Sequence, residues 1–356
     1  MLFPNKLKKG DRVAIVSLSS GMLGEDFCSH NIEIGVKRLK EYGLEPVFMP
    51  NALKGIEFLK ANPKARAEDL MEAFSDPTIT GIICAIGGDD TYRLLPYLME
   101  NQEFIGNVRR FPKLFTGFSD TTINHLMFYK LGLSTFYGPN FICDLGEIAD
   151  EMLPYSKAAF ENYLEVDSCE EVGSHEEVDS CEVVDSCEVV DSRDEINLGE
   201  ISSSEIWYEE RKDFSRAAIG TERVAHKEER GFELLQGDKA FSGRLLGGCL
   251  ESLYDMLVNN RHEDEADICN KYQIFPDREE WSGKVLFIET CEEKPTPELV
   301  EMELNALKER GVFDVIAGII VGKPQDEAFY EEYKEIYAKV IEDNNLPIVY
   351  NVNFGH

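Results

Sequence analysis

No run of about 18 apolar residues occurs anywhere in this 356-residue sequence, so no transmembrane helix is expected. Basic residues are also scarce. Thirty-six Lys and Arg stand against 68 Asp and Glu, a formal net charge of −32. That balance argues against nucleic-acid binding through the phosphate backbone and against docking on anionic lipid. Cys-x-x-Cys pairs are missing and the nine cysteines form no even framework, so reduced thiols are expected rather than the disulfides of a small secreted domain. At the N-terminus the apolar run 13–16 is too short for a signal-peptide core, and Asp11-Arg12 abut it. These absences together predict a soluble cytoplasmic protein.

What is present is globular: 43% hydrophobic and 10% aromatic residues, in a chain too long for one ordinary core. Two α/β domains are expected, at 1–164 and 205–356, separated by a segment at 165–204. In the first, strand patterns at 12–18, 45–49, 81–86 and 114–118 alternate with helical patterns at 27–42, 65–74, 91–98 and 121–131. This alternation predicts βαβ units and a mostly parallel sheet flanked by helices. In the second, smaller domain, a helix over 245–257 opens on Gly247-Gly248. Strands follow at 284–289, 315–321 and 347–353, with helices at 297–310 and 327–342. Ligands of such sheets sit at the carboxyl ends of the strands, and the active site is expected at the interface of the two domains.

The separating segment carries five tandem hexapeptides over 165–194: EVDSCE, EVGSHE, EVDSCE, VVDSCE and VVDSRD. Twelve acidic residues and one Arg lie within it. Its Cys, His and Asp invite a metal site and predict stoichiometric zinc if one exists. A spacing of six matches none of the compact metal-ligand spacings, so an acidic low-complexity insertion is the expected reading.

Two turns at strand ends carry candidate chemistry. "TGFSDTT" (116–122) places Ser119 where a strand gives way to a helix. The serine is either a nucleophile or a helix cap, as is Asp120 beside it. The second glycine of Gly-x-Ser-x-Gly is absent, which excludes the α/β-hydrolase elbow but not a nucleophile. The first-turn amide of Asp120 points where an oxyanion develops. "IGGDD" (86–90) lacks the dinucleotide fingerprint, and Gly88 and Asp89 there either approach a ligand or form a plain turn capped by Asp89 or Asp90. A serine needs a base, usually a histidine oriented by a carboxylate. His30 and His262 lie in polar contexts that read as exposed. His125 is six residues, about 600°, past Ser119 on one helix and points away from it. His356 ends a strand and a glycine, and Glu289 ends the apolar strand "KVLFIE", where a lone acid is costly without a partner.

Five blocks, "AIGGDDTYRLLPYL", "PKLFTGFSDTTINHLMFYKLGLSTFYGPN", "GRLLGGCLESL", "LFIETCEEKPTPELVEMEL" and "PIVYNVNFGH", occur in order and together resemble the LD-carboxypeptidase family of serine peptidases, most closely its microcin C immunity branch. The resemblance implies a Ser–Glu–His triad of Ser119, Glu289 and His356, with oxyanion donors near Gly88 and at Asp120. It implies metal-free and cofactor-free hydrolysis of an amide bond next to a free carboxylate. The implied substrate is a murein L,D-tetrapeptide or a microcin C-like peptidyl- or aminoacyl-nucleotide. A homodimer is implied as well. In the immunity branch a loop tryptophan stacks on the base, and Trp207 of "SSSEIWYEERKDF" stands at a comparable place; an ordinary loop aromatic is the other reading. Relatives continue some twenty residues past the Gly-His, so a further tail beyond His356 is expected. The rival class is a non-catalytic α/β protein that binds a small molecule, in which Ser119 and Glu289 are structural.

Overall fold

The computed structural model describes residues 1–165, 200–342 and 345–356. All but the first residue of the hexapeptide array, and with it the metal reading of that array, lies outside them.

Strands β1 (Arg12–Val16), β2 (Glu45–Phe48), β3 (Ile79–Cys84), β4 (Leu114–Gly117) and β5 (Phe136–Tyr137) form an all-parallel sheet in the order β2-β1-β3-β4-β5. β4 is buried along its whole length and β1 and β3 nearly so. Burial on both faces is what writes continuous apolar runs into a sequence instead of alternation. Helices Ser29–Glu41, Pro63–Ser75, Gln102–Arg110 and Thr122–Leu131 make the crossovers. The chain reverses direction across the sheet between β1 and β3, so the loops after those two strands diverge there and open a crevice.

A two-stranded antiparallel ribbon follows, β6 (Ile206–Tyr208) with β7 (Ala225–Lys227). The second sheet comprises β8 (Glu233–Gln236), β9 (Leu245–Cys249), β10 (Val285–Glu289), β11 (Gly318–Gly322) and β12 (Ile348–Val352) in the order β8-β12-β11-β10-β9. β9 to β12 run parallel and β8 is antiparallel to β12. The protein is therefore a two-domain α/β fold with a five-stranded parallel sheet flanked by helices. One apolar cluster runs from Ala14, Phe115 and Phe128 of the first unit into Leu250, Leu286 and Tyr350 of the second. A separate cluster covers the other face of the first sheet around Ile15, Ile83 and Phe141.

The helix expected over 245–257 is corrected. Residues Leu245–Cys249 are a strand in register with β10, and the helix is only Leu250–Asp255. Gly247 and Gly248 take φ of +155° and +149°, and a Cβ on Gly247 would lie 1.8 Å from the carbonyl oxygen of Phe287. The glycine pair thus permits close approach of two strands rather than opening a helix. The helical pattern at 91–98 resolves into a 3-10 turn, Thr91–Leu94, and a short helix, Leu95–Met99, with Pro96 in its first turn. Among the described residues no helix is long and apolar enough to cross a membrane.

Candidate active site

The carboxyl ends of the two sheets meet. The Cys249 amide, ending β9, donates to Thr122 Oγ1 at 2.9 Å, and Tyr137 Oη, ending β5, donates to Glu289 Oε1 at 2.5 Å. Between them lies a narrow cleft of about 30 Å³, bordered by Gly88, Asp89, Ser119 and Asp120 on one side and by Glu251 and Glu292 on the other.

Ser119 follows β4 and begins the turn Ser119–Thr121 that leads into helix Thr122–Leu131. Its φ is +66°. A non-glycine residue holds that conformation only where its surroundings impose it. Here they do so from both ends: the Ser119 amide donates to Tyr137 Oη at 2.8 Å, and its carbonyl accepts from Thr122 Oγ1 at 2.7 Å. The Ser119 hydroxyl has no hydrogen bond among the described residues and caps nothing. Asp120 does not cap either. Its buried carboxylate accepts from Ser19 Oγ at 2.6 Å and the Thr91 amide at 2.9 Å, bracing the loops after β1 and β3. Burial raises Asp120 to about 6, with those two hydrogen bonds opposing. Its own amide sits in a first turn, where no intrahelical acceptor exists.

Gly88 and Asp89 are exposed at the rim, and the Asp89 carbonyl accepts from His262 Nε2 at 2.8 Å. Their neighbour Asp90 is buried against Arg66, with Arg66 Nη1 to Oδ1 at 2.5 Å and Nη2 to Oδ2 at 3.0 Å. Neither Asp89 nor Asp90 caps the following turn.

Glu289 ends β10 and is fully buried. Tyr137 occupies one of its oxygens, and His356 Nδ1 donates to the other at 2.8 Å. Gly355, at φ +88°, lets the chain wrap around this carboxylate; a Cβ there would lie 2.5 Å from Glu289 Cγ. The His356 ring stands edge-on to Phe118, the residue before Ser119, with centroids 4.9 Å apart. A continuous path therefore joins the two sheets, from the Ser119 amide through Tyr137 Oη and Glu289 to the His356 ring. Burial, then the charge of Glu289, keeps Tyr137 protonated well above its ordinary range.

The other ring nitrogen, Nε2, donates to Glu292 Oε2 at 3.0 Å, and no His356–Ser119 hydrogen bond is formed. Burial disfavours the charged ring, but Glu289 and Glu292 outweigh it and raise His356 to about 10. Glu292 falls to about 2, chiefly through its hydrogen bond to His356. The imidazole is thus an imidazolium gripped by two carboxylates.

Sequence reasoning missed Tyr137 and Glu292. Tyr137 belongs to a two-residue strand, too short to show a period, and only the adjoining Gly138-Pro139 marked a turn there. Glu292 lies in "CEEK", where nothing local separates it from Glu293. His125 is a core histidine, with Nε2 donating to the Gly117 carbonyl at 2.9 Å and burial lowering it to about 4. His30, read as exposed, is buried and bonded to the Phe214 carbonyl. Trp207, on β6, does not border the cleft; it stacks on His226 at 4.2 Å with Lys323 Nζ 5.1 Å from its ring centre. The ribbon is nevertheless tied to the final segment, since the Ser204 amide donates to Asn353 Oδ1 at 2.9 Å.

The fold and cleft define an α/β protein with its polar site between a parallel and a mostly parallel sheet. Family models specify it further: the LD-carboxypeptidase N-terminal domain matches residues 13–138 and the LD-carboxypeptidase C-terminal domain matches 242–356. The chain belongs to the LD-carboxypeptidase family. A MccF-like protein from Streptococcus pneumoniae, solved in complex with AMP, is 49% identical with a TM-score of 0.85, covering 97% of this chain and 91% of that one. The Microcin C7 self-immunity protein MccF of Escherichia coli is 26% identical over 326 residues, 90% of this chain and 79% of the relative. Two Bacillus subtilis relatives match over less than half of their own length. YocD is 32% identical over 142 residues, 41% of that protein, and a probable murein peptide carboxypeptidase is 30% identical over 164 residues, 47% of that protein.

Proposed function

We propose that this chain is a serine-type amidase that hydrolyses an aminoacyl- or peptidyl-nucleotide. Ser119 is the nucleophile, His356 the base and Glu289 the acid that orients it. The observation that carries this reading is the left-handed Ser119, held at φ +66° with an unengaged hydroxyl, on a hydrogen-bonded path to the Glu289–His356 pair. Backbone strain of this kind is found at active sites, and here it coincides with the end of the hydrogen-bonded path. His356 first releases its Nε2 proton to solvent and parts from Glu292; the neutral Nε2 then takes the hydroxyl proton as Ser119 Oγ attacks the carbonyl carbon. The amides of Asp120 and Gly88 receive the oxyanion. The imidazolium then gives its proton to the leaving nitrogen, and water releases the acyl group by the same route.

The nucleotide reading is supported by the AMP complex of the 49%-identical relative and by the immunity function in the name of the Escherichia coli relative. Trp207 is then the stacking platform for the base, reached by a shift of the ribbon. A side-by-side assay of an aminoacyl sulfamoyl-adenosine and a murein L,D-tetrapeptide tests substrate and nucleophile together. The wild type turns over the first faster than the second, and Ser119→Ala lowers kcat by about 10³-fold or more. Unchanged turnover by Ser119→Ala sinks the nucleophile. Preference for the tetrapeptide sinks the nucleotide reading alone.

A further inference from the structure

Beside the Ser119 cleft a second cavity of about 240 Å³ opens, and the two share Glu251, Asp255, Arg261, Cys291 and Glu293 as common walls. Glu303, from helix Pro297–Glu309, borders the second cavity. It is 1% exposed, and its Oε2 has no hydrogen-bond partner. A buried carboxyl without a partner is costly and rare in folded proteins. The cations nearby do not serve it: Arg261 pairs with Asp255 and Glu293, and Lys294 is held by Asp326 at 2.8 Å. Glu251 stands at the junction of the two cavities, 5% exposed, with one oxygen accepting from the Cys291 amide and the other from Cys249 Sγ. Those contacts fix its place and supply no countercharge. Across the Ser119 cleft, on the helix Glu265–Lys271 of the second unit, the same condition recurs at Glu265, which is 2% exposed with Oε2 unpartnered.

We propose that this second cavity is a specificity pocket for an ammonium group on the residue next to the scissile bond, with Glu303 and Glu251 as its recognition pair. An anionic residue such as aspartyl or glutamyl is disfavoured there, because Glu251 and Glu303 offer it no countercharge and the two cations on the wall, Arg261 and Lys294, are already paired. An ammonium supplies the donors that Glu303 lacks and has apolar wall for its stem at Leu299 and Pro295. A bare metal ion fits less well: among the described residues no three of His, Cys, Asp and Glu are placed to hold one. Burial first, and then the charges of Glu251 and Asp255, raise Glu303 to about 10, with Arg261 opposing. A cation alongside lowers that value, so binding of the ammonium and ionisation of Glu303 reinforce each other. The ammonium has two sources, a lysine-type side chain or a free α-amine.

The substrate in this inference rests on the aminoacyl-nucleotide reading above; the pocket itself does not. The test is calorimetric titration of Ser119→Ala protein with lysyl-, norleucyl- and N-acetylnorleucyl-sulfamoyl-adenosine, repeated with Glu303→Gln and with Glu251→Gln added. Lysyl binding at least tenfold tighter than norleucyl assigns the side-chain ammonium. Norleucyl binding at least tenfold tighter than N-acetylnorleucyl assigns the α-amine. Either gap supports the pocket if Glu303→Gln or Glu251→Gln narrows it to less than threefold. Equal affinities for all three compounds, or a gap that survives both substitutions, overturns it. Wild-type turnover of the same compounds is scored separately: tight, Glu303-dependent binding without hydrolysis contradicts the amidase and leaves the pocket standing.

Discussion

The two sides of the cleft treat buried acidic groups in opposite ways. On the first sheet's side, Asp90 faces a fully buried Arg66 in a two-pronged ion pair, and Asp120 takes two hydrogen bonds from neighbouring loops. On the second sheet's side, Glu251, Glu265 and Glu303 are buried with no cation of their own, and two of them have an unpartnered oxygen. Paired charge fixes loops in place. A buried carboxyl without a counterion is pushed toward its neutral form, as Glu303 and Glu265 are, and groups perturbed in this way cluster where a protein meets its ligand. The first side is therefore built to hold Ser119 rigid and the second to receive something.

The comparison breaks most visibly at Asp90. Replacing it by Ala leaves Arg66 charged and buried without a counterion, and about 3–5 kcal/mol of unfolding free energy is lost, as measured by urea titration. A loss below about 1 kcal/mol contradicts the bracing role. Next in size is Tyr137→Phe, which removes the one hydroxyl shared between Ser119 and Glu289. A hydrogen bond to a charged carboxylate is worth about 1.5–3 kcal/mol, so kcat falls about tenfold to a hundredfold while KM changes little. Equal kcat in the variant shows that the bridge does not position the serine.

Glu292→Gln acts on the proton of His356. The neutral ring is the base, so the rate of the wild type rises with pH toward its value of about 10. Removing one of two carboxylates lowers that value, and the rising limb of the pH–rate profile moves to lower pH by about one unit or more. Stability shifts in the matching sense. A histidine raised above its ordinary range stabilises the fold fully below about 6.5 and loses that contribution as pH climbs through about 10. Glu292, lowered to about 2, keeps its contribution above the ordinary range and loses it as pH falls through 2. The variant's deficit in Tm is therefore largest near pH 5–6 and vanishes above 10. The smallest effect belongs to Glu303→Gln. It removes an uncompensated carboxyl, so unfolding free energy stays within about 1 kcal/mol of wild type or rises. A loss as large as that of Asp90→Ala removes the contrast between the two sides.

The first sheet could be read from the sequence because burial on both faces gives β1, β3 and β4 largely apolar runs, and because helical patterns, the first stopped at Gly43, separate them. The strand at Leu245–Cys249 could not be read, since its two glycines look like a helix start until Phe287 is known to lie against them. Within the site, Ser119, Glu289 and His356 could be singled out as polar residues at strand ends. The order of contacts among them could not. Whether His356 Nε2 faces Ser119 or Glu292 depends on how two loops from distant parts of the chain lie together, and no spacing encodes that. Glu303 sits on a regular helical period in "VEMEL", and only the packed structure shows that its face turns inward.

The central claim is that Ser119 forms a covalent acyl intermediate. Wild-type protein mixed with an aminoacyl sulfamoyl-adenosine, quenched in acid within the first turnover and digested, is to be examined by peptide mass spectrometry. The account predicts an added acyl mass on the peptide containing Ser119, absent from Ser119→Ala. Hydrolysis with the adduct on another residue, or at an undiminished rate in Ser119→Ala, contradicts it.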